Sequence, residues 1–145
     1  MDFEFVKNIK FVIVDVDGVL TDGTIYIDSQ GCETKAFSVL DGTGISYLHR
    51  VSIKTAIISG RNCNAVTHRA KELGIEDVYQ GIKNKLDAYN QLLEKYALRD
   101  EEICYIGDDL IDLPILYRVG FSVAVANASP IVKRQSDYVT KARGG

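Results

Sequence analysis

A chain of 145 residues that is 46% hydrophobic with only 2 Pro is long enough for one well-cored domain and too short for two comfortable ones, so a single domain over residues 1–145 is expected. The net charge of -3 and the pI near 5.4 give no basic footprint of the kind that grips phosphates, and nucleic acid is not an expected partner. No stretch approaches the ~20 apolar residues a membrane span needs, and the acidic Met1-Asp2-Phe3-Glu4-Phe5 has no apolar core of signal-peptide length, so the expected location is the cytoplasm, away from any membrane.

The first element is Phe11-Val12-Ile13-Val14, a β-branched and aromatic run that reads as a buried strand. It ends in Asp15-Val16-Asp17-Gly18. Two carboxylates at one strand end repel each other and need a compensating cation; oxygen-only ligands favour a hard one such as Mg2+. Thr24 to Asp28 and Glu33 to Val39 flank the turn-like Ser29-Gln30-Gly31, so a β-hairpin is predicted over about residues 24–39. Its apolar Ile25, Ile27 and Phe37 need cover, because a lone hairpin is marginal in water. Asp41-Gly42-Thr43-Gly44 reads as a glycine-rich loop before a short helix marked by Ile45, Leu48 and Val51.

Strand, turn and helix then repeat. Thr55-Ala56-Ile57-Ile58 is a strand ending in Ser59-Gly60-Arg61, and Val66, Ala70 and Leu73 mark a helix stopped by Gly74. Val78-Tyr79 is a third strand, and Leu86, Tyr89, Leu92, Leu93 and Tyr96 make an apolar stripe on a helix from Asn84 to Tyr96. Lys85 stands at the start of that helix, where its charge opposes the dipole and would be relieved by an anion. Ile103 to Gly107 is a fourth strand, followed by Asp108-Asp109 and Asp112, then Pro114 near the start of a helix. Phe121 to Ala126 is a fifth strand, Ser129-Pro130 opens a brief helix, Tyr138-Val139 is an edge strand, and Lys141 to Gly145 reads as disordered or cut short. Three widely spaced cysteines, Cys32, Cys63 and Cys104, suit a reducing compartment, and neither they nor His49 and His68 show zinc spacing.

Strands alternating with helices imply an α/β fold: a Rossmann-like parallel sheet with helices on both faces, plus the hairpin as a flap. Ligands in such sheets bind beyond the carboxyl ends of the strands. Asp15 and Asp17, Ser59 to Arg61, and Asp108 with Asp109 all fall on that rim, with Lys85 close by. This set suits a phosphoryl group bridged to a metal ion. Asp15 can be the nucleophile, Lys85 can offset the charge of carboxylate and phosphate, and Asp17 can protonate the leaving oxygen and later activate water. Ser59 offers the phosphate a hydrogen bond and Asp108 completes a metal site, while Asp109 is either a further ligand or support for one. Arg61 carries a planar fork suited to a substrate carboxylate, or is a structural arginine paired with an acid such as Asp41.

Asp-Val-Asp-Gly-Val-Leu-Thr-Asp at 15 to 22, Ile-Ser-Gly-Arg at 58 to 61, Lys85, and Gly-Asp-Asp-Leu-Ile-Asp at 107 to 112 resemble, in order, the four motifs of the haloacid dehalogenase superfamily phosphatases. The finer grain, including Lys35 to Gly42, Tyr79-Gln80-Gly81, Ser122 to Ala128 and Asp137 to Thr140, is similar to the branch that removes phosphate from 3-deoxy-D-manno-octulosonate 8-phosphate during lipopolysaccharide synthesis. The resemblance implies a capless phosphatase with an aspartyl-phosphate intermediate. It puts the nucleophile on Asp15, the acid/base on Asp17, the phosphate contacts on Ser59 and Lys85, and Mg2+ on Asp15, the main-chain carbonyl of Asp17, and Asp108. It maps sugar-acid contacts onto Ser38, Val39, Leu40, Asp41, Gly42, Ser46, Arg61 and Arg69, beside Lys85. It also implies a homotetramer in which the hairpin packs subunits together, and a further C-terminal segment past Gly144-Gly145. Neighbouring readings share these motifs: a phosphatase for an acylneuraminate 9-phosphate, or a mainly structural domain like those of sugar-acid nucleotidyltransferases. A phosphate-receiving signalling domain would instead need an acceptor Asp where this chain has Ser59-Gly60-Arg61.

Overall fold

The computed structural model describes residues 4–145. Six parallel strands form one sheet in the order β5-β4-β1-β6-β7-β8: β1 (Phe11–Val14), β4 (Lys54–Ile58), β5 (Asp77–Tyr79), β6 (Ile103–Gly107), β7 (Phe121–Ala124) and β8 (Tyr138–Val139). A separate antiparallel pair, β2 (Tyr26–Ile27) and β3 (Glu33–Thr34), is the predicted hairpin, with Tyr26 opposite Thr34 and Ile27 opposite Glu33. Five helices connect the strands: α1 (Val39–Arg50), α2 (Asn64–Leu73), α3 (Lys85–Tyr96), α4 (Leu113–Leu116) and α5 (Pro130–Gln135).

All four residues of β1 are buried, as expected of a strand flanked on both sides and covered on both faces. Side chains alternate along it, so its two faces carry different partners. Phe11 stacks on Tyr96 of α3 with ring centroids 5.2 Å apart, whereas Val12 and Val14 face a cavity shared with Ile45 and Leu48 of α1. Helices therefore cover both faces. The chain leaves β1 toward β4 and β5, then returns on the other side to β6, β7 and β8, which makes the crevice between β1 and β6 the switch point of the sheet. In register, Val14 lies beside Ile57 and Ile106. The residues that follow, Asp15, Ser59 and Asp108, are thereby brought to a common rim.

The structure departs from the sequence reading in three places. α1 begins at Val39, with the Ser38 hydroxyl accepting from the Leu40 N–H at 3.3 Å, so Asp41 to Gly44 are helical rather than a loop. Gly42 lets α1 lie close to α2, since a Cβ there would stand 2.7 Å from Nη2 of Arg69 and 3.0 Å from Cδ2 of Leu73. The hairpin strands are two residues each, with the turn closed by the Asp28 carboxylate accepting from the N–H groups of Gln30 and Cys32. Residues Lys141 to Gly145 are fastened: Ala142 accepts from the Ala126 N–H, the Gly144 N–H donates to Asn127 Oδ1 at 2.7 Å, and the Gly145 N–H donates to the Val19 carbonyl. Among the described residues no helix is long and apolar enough to cross a membrane.

Candidate active site

The chain leaves β1 at Asp15 and bends at once through Val16–Leu20. Gly18 takes φ +94°, and a Cβ on it would meet Asp108 Oδ2 at 2.0 Å, so this position requires glycine for its conformation and for the acid packed against it. Thr21 Oγ1 accepts from the N–H groups of Gly18 and Gly23, and Asn127 Nδ2 donates to the Gly18 carbonyl at 3.1 Å. These bonds fix the loop that carries Asp15 and Asp17.

Behind the loop lies a buried charged cluster. The Lys85 ammonium is 2.9 Å from Asp15 Oδ1 and 2.7 Å from Asp112 Oδ1, with its side chain 1% exposed. Asp112 is fully buried, and its two oxygens take four donors: Lys85 and the Tyr105 hydroxyl (2.6 Å) on Oδ1, and the N–H groups of Asp108 (3.0 Å) and Asp109 (3.2 Å) on Oδ2. The awkward positive charge at the start of α3 is thus answered by two carboxylates. Burial alone would lower the Lys85 pKa, but Asp15 and Asp112 outweigh it and hold the ammonium above its ordinary value.

One ammonium does not balance three acids. Burial pushes the Asp15 carboxyl up to about 6, against the pull of Lys85 and with Asp112 adding repulsion. Burial, followed by repulsion from Asp15, Asp112 and Asp109, pushes Asp108 up to about 7. One oxygen from each of Asp15, Asp108 and Asp112 lies within 4.8 Å of the others, and Asp108 Oδ1 is buried without a hydrogen-bond partner. A hard divalent cation fits this set: it would satisfy the orphaned oxygen and remove the repulsion. Because Asp112 has spent its oxygens on donors, Asp15 and Asp108 are the side chains left to hold the metal. Asp109 caps the turn after β6, accepting from the Leu110 N–H at 2.7 Å.

Asp15, Asp17, Ser59, Arg61, Asp108 and Asp109 line one depression of about 270 Å³. Ser59 is buried, its backbone N–H bonded to the Tyr79 carbonyl and its hydroxyl accepting from the Arg61 N–H at 3.3 Å. The Asp17 carboxylate forms an ion pair with Lys35, which also meets Glu33 at 2.6 Å. Glu33 in turn takes Arg61 Nη2 at 2.7 Å, so Arg61 pairs with the hairpin and not with Asp41. Arg61 and Lys35 hold the Glu33 carboxyl down at about 2.

The remaining expected contacts lie elsewhere on this chain. Val39, Gly42, Ser46 and Arg69 border a second depression, and the Ser38 carbonyl accepts from Arg69 Nη2 at 3.1 Å. Val39 and Leu40 are 77% and 80% exposed. Asp41 faces the cavity between α1 and the sheet, of about 290 Å³, where burial raises its pKa and Oδ2 has no partner. Sequence reasoning missed the anchoring part of Asp112, although its position one turn past Asp108 was a visible signal. Tyr105, Lys35 and Glu33 gave none, since a strand tyrosine and two hairpin charges are ordinary until their partners are known.

The haloacid dehalogenase-like hydrolase family matches residues 77–143. The 3-deoxy-D-manno-octulosonate 8-phosphate phosphatase of Escherichia coli K12 is 50% identical over 139 residues, which is 96% of this chain and 74% of that protein. The crystal structure of the phosphatase of that name from Yersinia pestis superposes with a TM-score of 0.95 at 48% identity, covering 97% of this chain and 76% of that one. The Moraxella catarrhalis phosphatase, solved with a magnesium ion, a phosphate ion and a KDO molecule, gives a TM-score of 0.96 at 43% identity, covering 99% and 82%. With the motif residues assembled on one rim and likeness of this extent, the chain belongs to the 3-deoxy-D-manno-octulosonate 8-phosphate phosphatase family of haloacid dehalogenase-like hydrolases.

Proposed function

We propose that this chain is a Mg2+-dependent phosphatase that hydrolyses 3-deoxy-D-manno-octulosonate 8-phosphate to the free sugar acid and inorganic phosphate. The observation that carries the reading is Asp15 itself, buried at the switch point of the sheet with Lys85 at 2.9 Å and an acidic cluster that wants a cation beside it. Held by Asp15, Asp108 and the Asp17 carbonyl, Mg2+ would supply positive charge to the phosphoryl oxygens.

In the first step a carboxylate oxygen of Asp15 bonds to phosphorus as the ester P–O bond breaks, and the leaving sugar oxygen takes a proton from Asp17, which enters the step as the carboxylic acid and leaves it as the carboxylate that pairs with Lys35. In the second, water gives a proton to Asp17 and attacks the acyl phosphate, releasing phosphate and restoring Asp15. Lys85 screens the approach of anion to anion, and the Ser59 hydroxyl orients the phosphate. Preference for a sugar acid is the part we assign to Arg61.

A homotetramer completes the reading. Ile25, Tyr26 and Ile27 of the hairpin are 43%, 49% and 64% exposed, more apolar surface than a hairpin should leave in water. Ser46 and Arg69 lie apart from the Asp15 depression, which suits contacts offered to a neighbouring copy's substrate. The three cysteines are free, with Cys32 exposed, in keeping with a place in the reducing cytoplasm. The test is phosphate release from a panel of sugar phosphates with Mg2+: fast release from the eight-carbon acid supports the reading, and preference for a neutral sugar phosphate or a nine-carbon acid overturns it.

A further inference from the structure

Lys35 directly follows β3 of the hairpin, yet its side chain is 1% exposed and its ammonium lies between two carboxylates, Asp17 on the loop after β1 and Glu33 on β3. Glu33 also grips Arg61, on the loop after β4. Asp17, Lys35, Glu33 and Arg61 thus form one continuous charged chain that joins the hairpin to two loops of the rim. Burying an ammonium is costly, and a group whose only task was to pin the hairpin could be apolar. The strands the hairpin offers are two residues long with Tyr26 and Ile27 exposed, so its own packing against the body is slight. What the ion chain fixes best is its far end: the carboxyl of Asp17, itself only 20% exposed and facing the depression that holds Asp15 and Ser59.

We infer that Lys35 is a positioning residue for the acid/base step, holding the Asp17 carboxyl over the leaving oxygen and making that placement depend on the hairpin. This rests on the assignment of Asp17 as acid/base under the proposed function. A short carboxylate at the mouth of a depression has other rotamers; a buried partner, itself locked by a second carboxylate, removes them before substrate arrives. Pre-set geometry of this sort is where proximity contributes to rate, and a misplacement of about 1 Å can cost on the order of a hundredfold.

The readout is how kcat/KM varies with leaving-group acidity. A nitrophenolate departs without a proton, whereas an alkoxide needs one, so misplacing Asp17 penalises alkyl phosphates and spares activated aryl phosphates. The probes are substituted phenyl phosphates of graded acidity together with ethyl phosphate, none of which carries a carboxylate for Arg61 or Lys35 to bind. Lys35→Met keeps the length of the stem and removes the charge. It should lose about ten- to a hundredfold on ethyl phosphate and less than about threefold on nitrophenyl phosphate, a steeper dependence than the parent. A uniform loss across the series, or a rise in KM alone, would place Lys35 on the phosphate or in the scaffold and overturn the inference.

Asp17→Asn is measured alongside. If it fails to steepen the dependence, the acid/base assignment itself falls; if it steepens and Lys35→Met does not, only the inference falls. Should Lys35→Met melt far below the parent, the decision passes to Lys35→Ala with and without propylammonium. Recovery confined to ethyl phosphate supports the positioning role, and no recovery or equal recovery on both substrate types overturns it.

Discussion

Lys85 Nζ stands 2.9 Å from Asp15 Oδ1 with both side chains buried, so the nucleophile we assign is already paired with a cation before any phosphate arrives. This arrangement solves an electrostatic problem, since a free carboxylate would repel a phosphate dianion, and it leaves a distinctive signature for substitution. Asp15→Asn should abolish phosphate release, on the order of 10⁴-fold or more in kcat, because an amide of nearly the same volume cannot form the acyl phosphate. Circular dichroism and melting should stay near the parent, as Lys85 retains Asp112. Turnover within about tenfold of the parent would remove Asp15 from the role.

The acidic cluster predicts an unusual pH dependence in metal-free protein. Asp15 and Asp108 are raised to about 6 and about 7, above their unfolded values, so the native state binds more protons than the unfolded chain over that range. Stability contributed by these groups therefore rises as pH falls from 8 toward 5 and is lost as pH climbs through 6 to 7. A cation takes the place of the protons, so Mg2+ should flatten the profile, raise the melting temperature most at pH 8, and bind more weakly as pH drops below 7. Melting scans at four or five pH values with and without Mg2+ check this, with Asp108→Asn expected to lose most of both effects. A metal-free profile that rises steadily toward pH 8 would contradict the account.

Asp112 and Tyr105 separate anchoring from chemistry. Asp112→Ala leaves Lys85 with one carboxylate, Asp15, beside the Tyr105 hydroxyl and strands the N–H groups of Asp108 and Asp109, so a loss of about 3 to 5 kcal/mol is expected, together with loss of Mg2+ binding as the loop relaxes. Tyr105→Phe removes one hydrogen bond from the same oxygen and a longer one, at 3.3 Å, from Lys85, and should cost about 1 to 2 kcal/mol with activity largely kept. Denaturant unfolding in excess Mg2+ and in chelator distinguishes the two. Equal costs would mean that Asp112 is not the hub the geometry makes it.

How much of this was legible in the sequence follows from range. Buried strands announce themselves locally, so the six of the parallel sheet could be placed from short β-branched and aromatic runs, and the acids of the rim from the Asp residues that follow β1 and β6. The start of α1 could not, because Gly42 and Gly44 look like a loop until Arg69, on another helix, is seen packed where a Cβ would stand. Asp112 was visible as an acid of the last motif, but its four donors come from α3, β6 and the loop after β6, a convergence that spacing does not encode. The ion chain through Lys35 and Glu33 lay furthest from view, because two-residue strands carry no period long enough to say which side chains turn inward.

The hairpin makes a prediction about assembly. Ile27 is 64% exposed and Tyr26 49%, and the proposed tetramer would bury them. Ile27→Asp should then shift the protein toward smaller species and lower activity on the sugar-acid phosphate, with the isolated subunit still folded by circular dichroism. Light scattering at micromolar concentration reads the mass directly. A parent protein that runs only as a monomer near 16.1 kDa would remove the tetramer.

Arg61 is the sharpest test of substrate choice, because the structure gives its fork a prior engagement. Glu33 takes Nη2 at 2.7 Å and Nε at 3.4 Å, while in the proposed mechanism Ser59, Lys85 and the metal answer the phosphate. A substrate carboxylate must therefore share the guanidinium with Glu33 or displace it, and the net gain from binding is smaller than for an unpaired arginine. Arg61→Lys keeps the charge and loses the planar fork, so the expected fall in kcat/KM for the sugar-acid phosphate is about tenfold, the low end of the range for a charge-assisted pair. A neutral sugar phosphate and a small aryl phosphate should change less than about threefold, since neither carries a carboxylate for the fork to grip. Equal losses on all three would mean that Arg61 serves the hairpin through Glu33 and that the carboxylate of the sugar acid is recognised elsewhere, with Arg69 in the second depression the first residue to try.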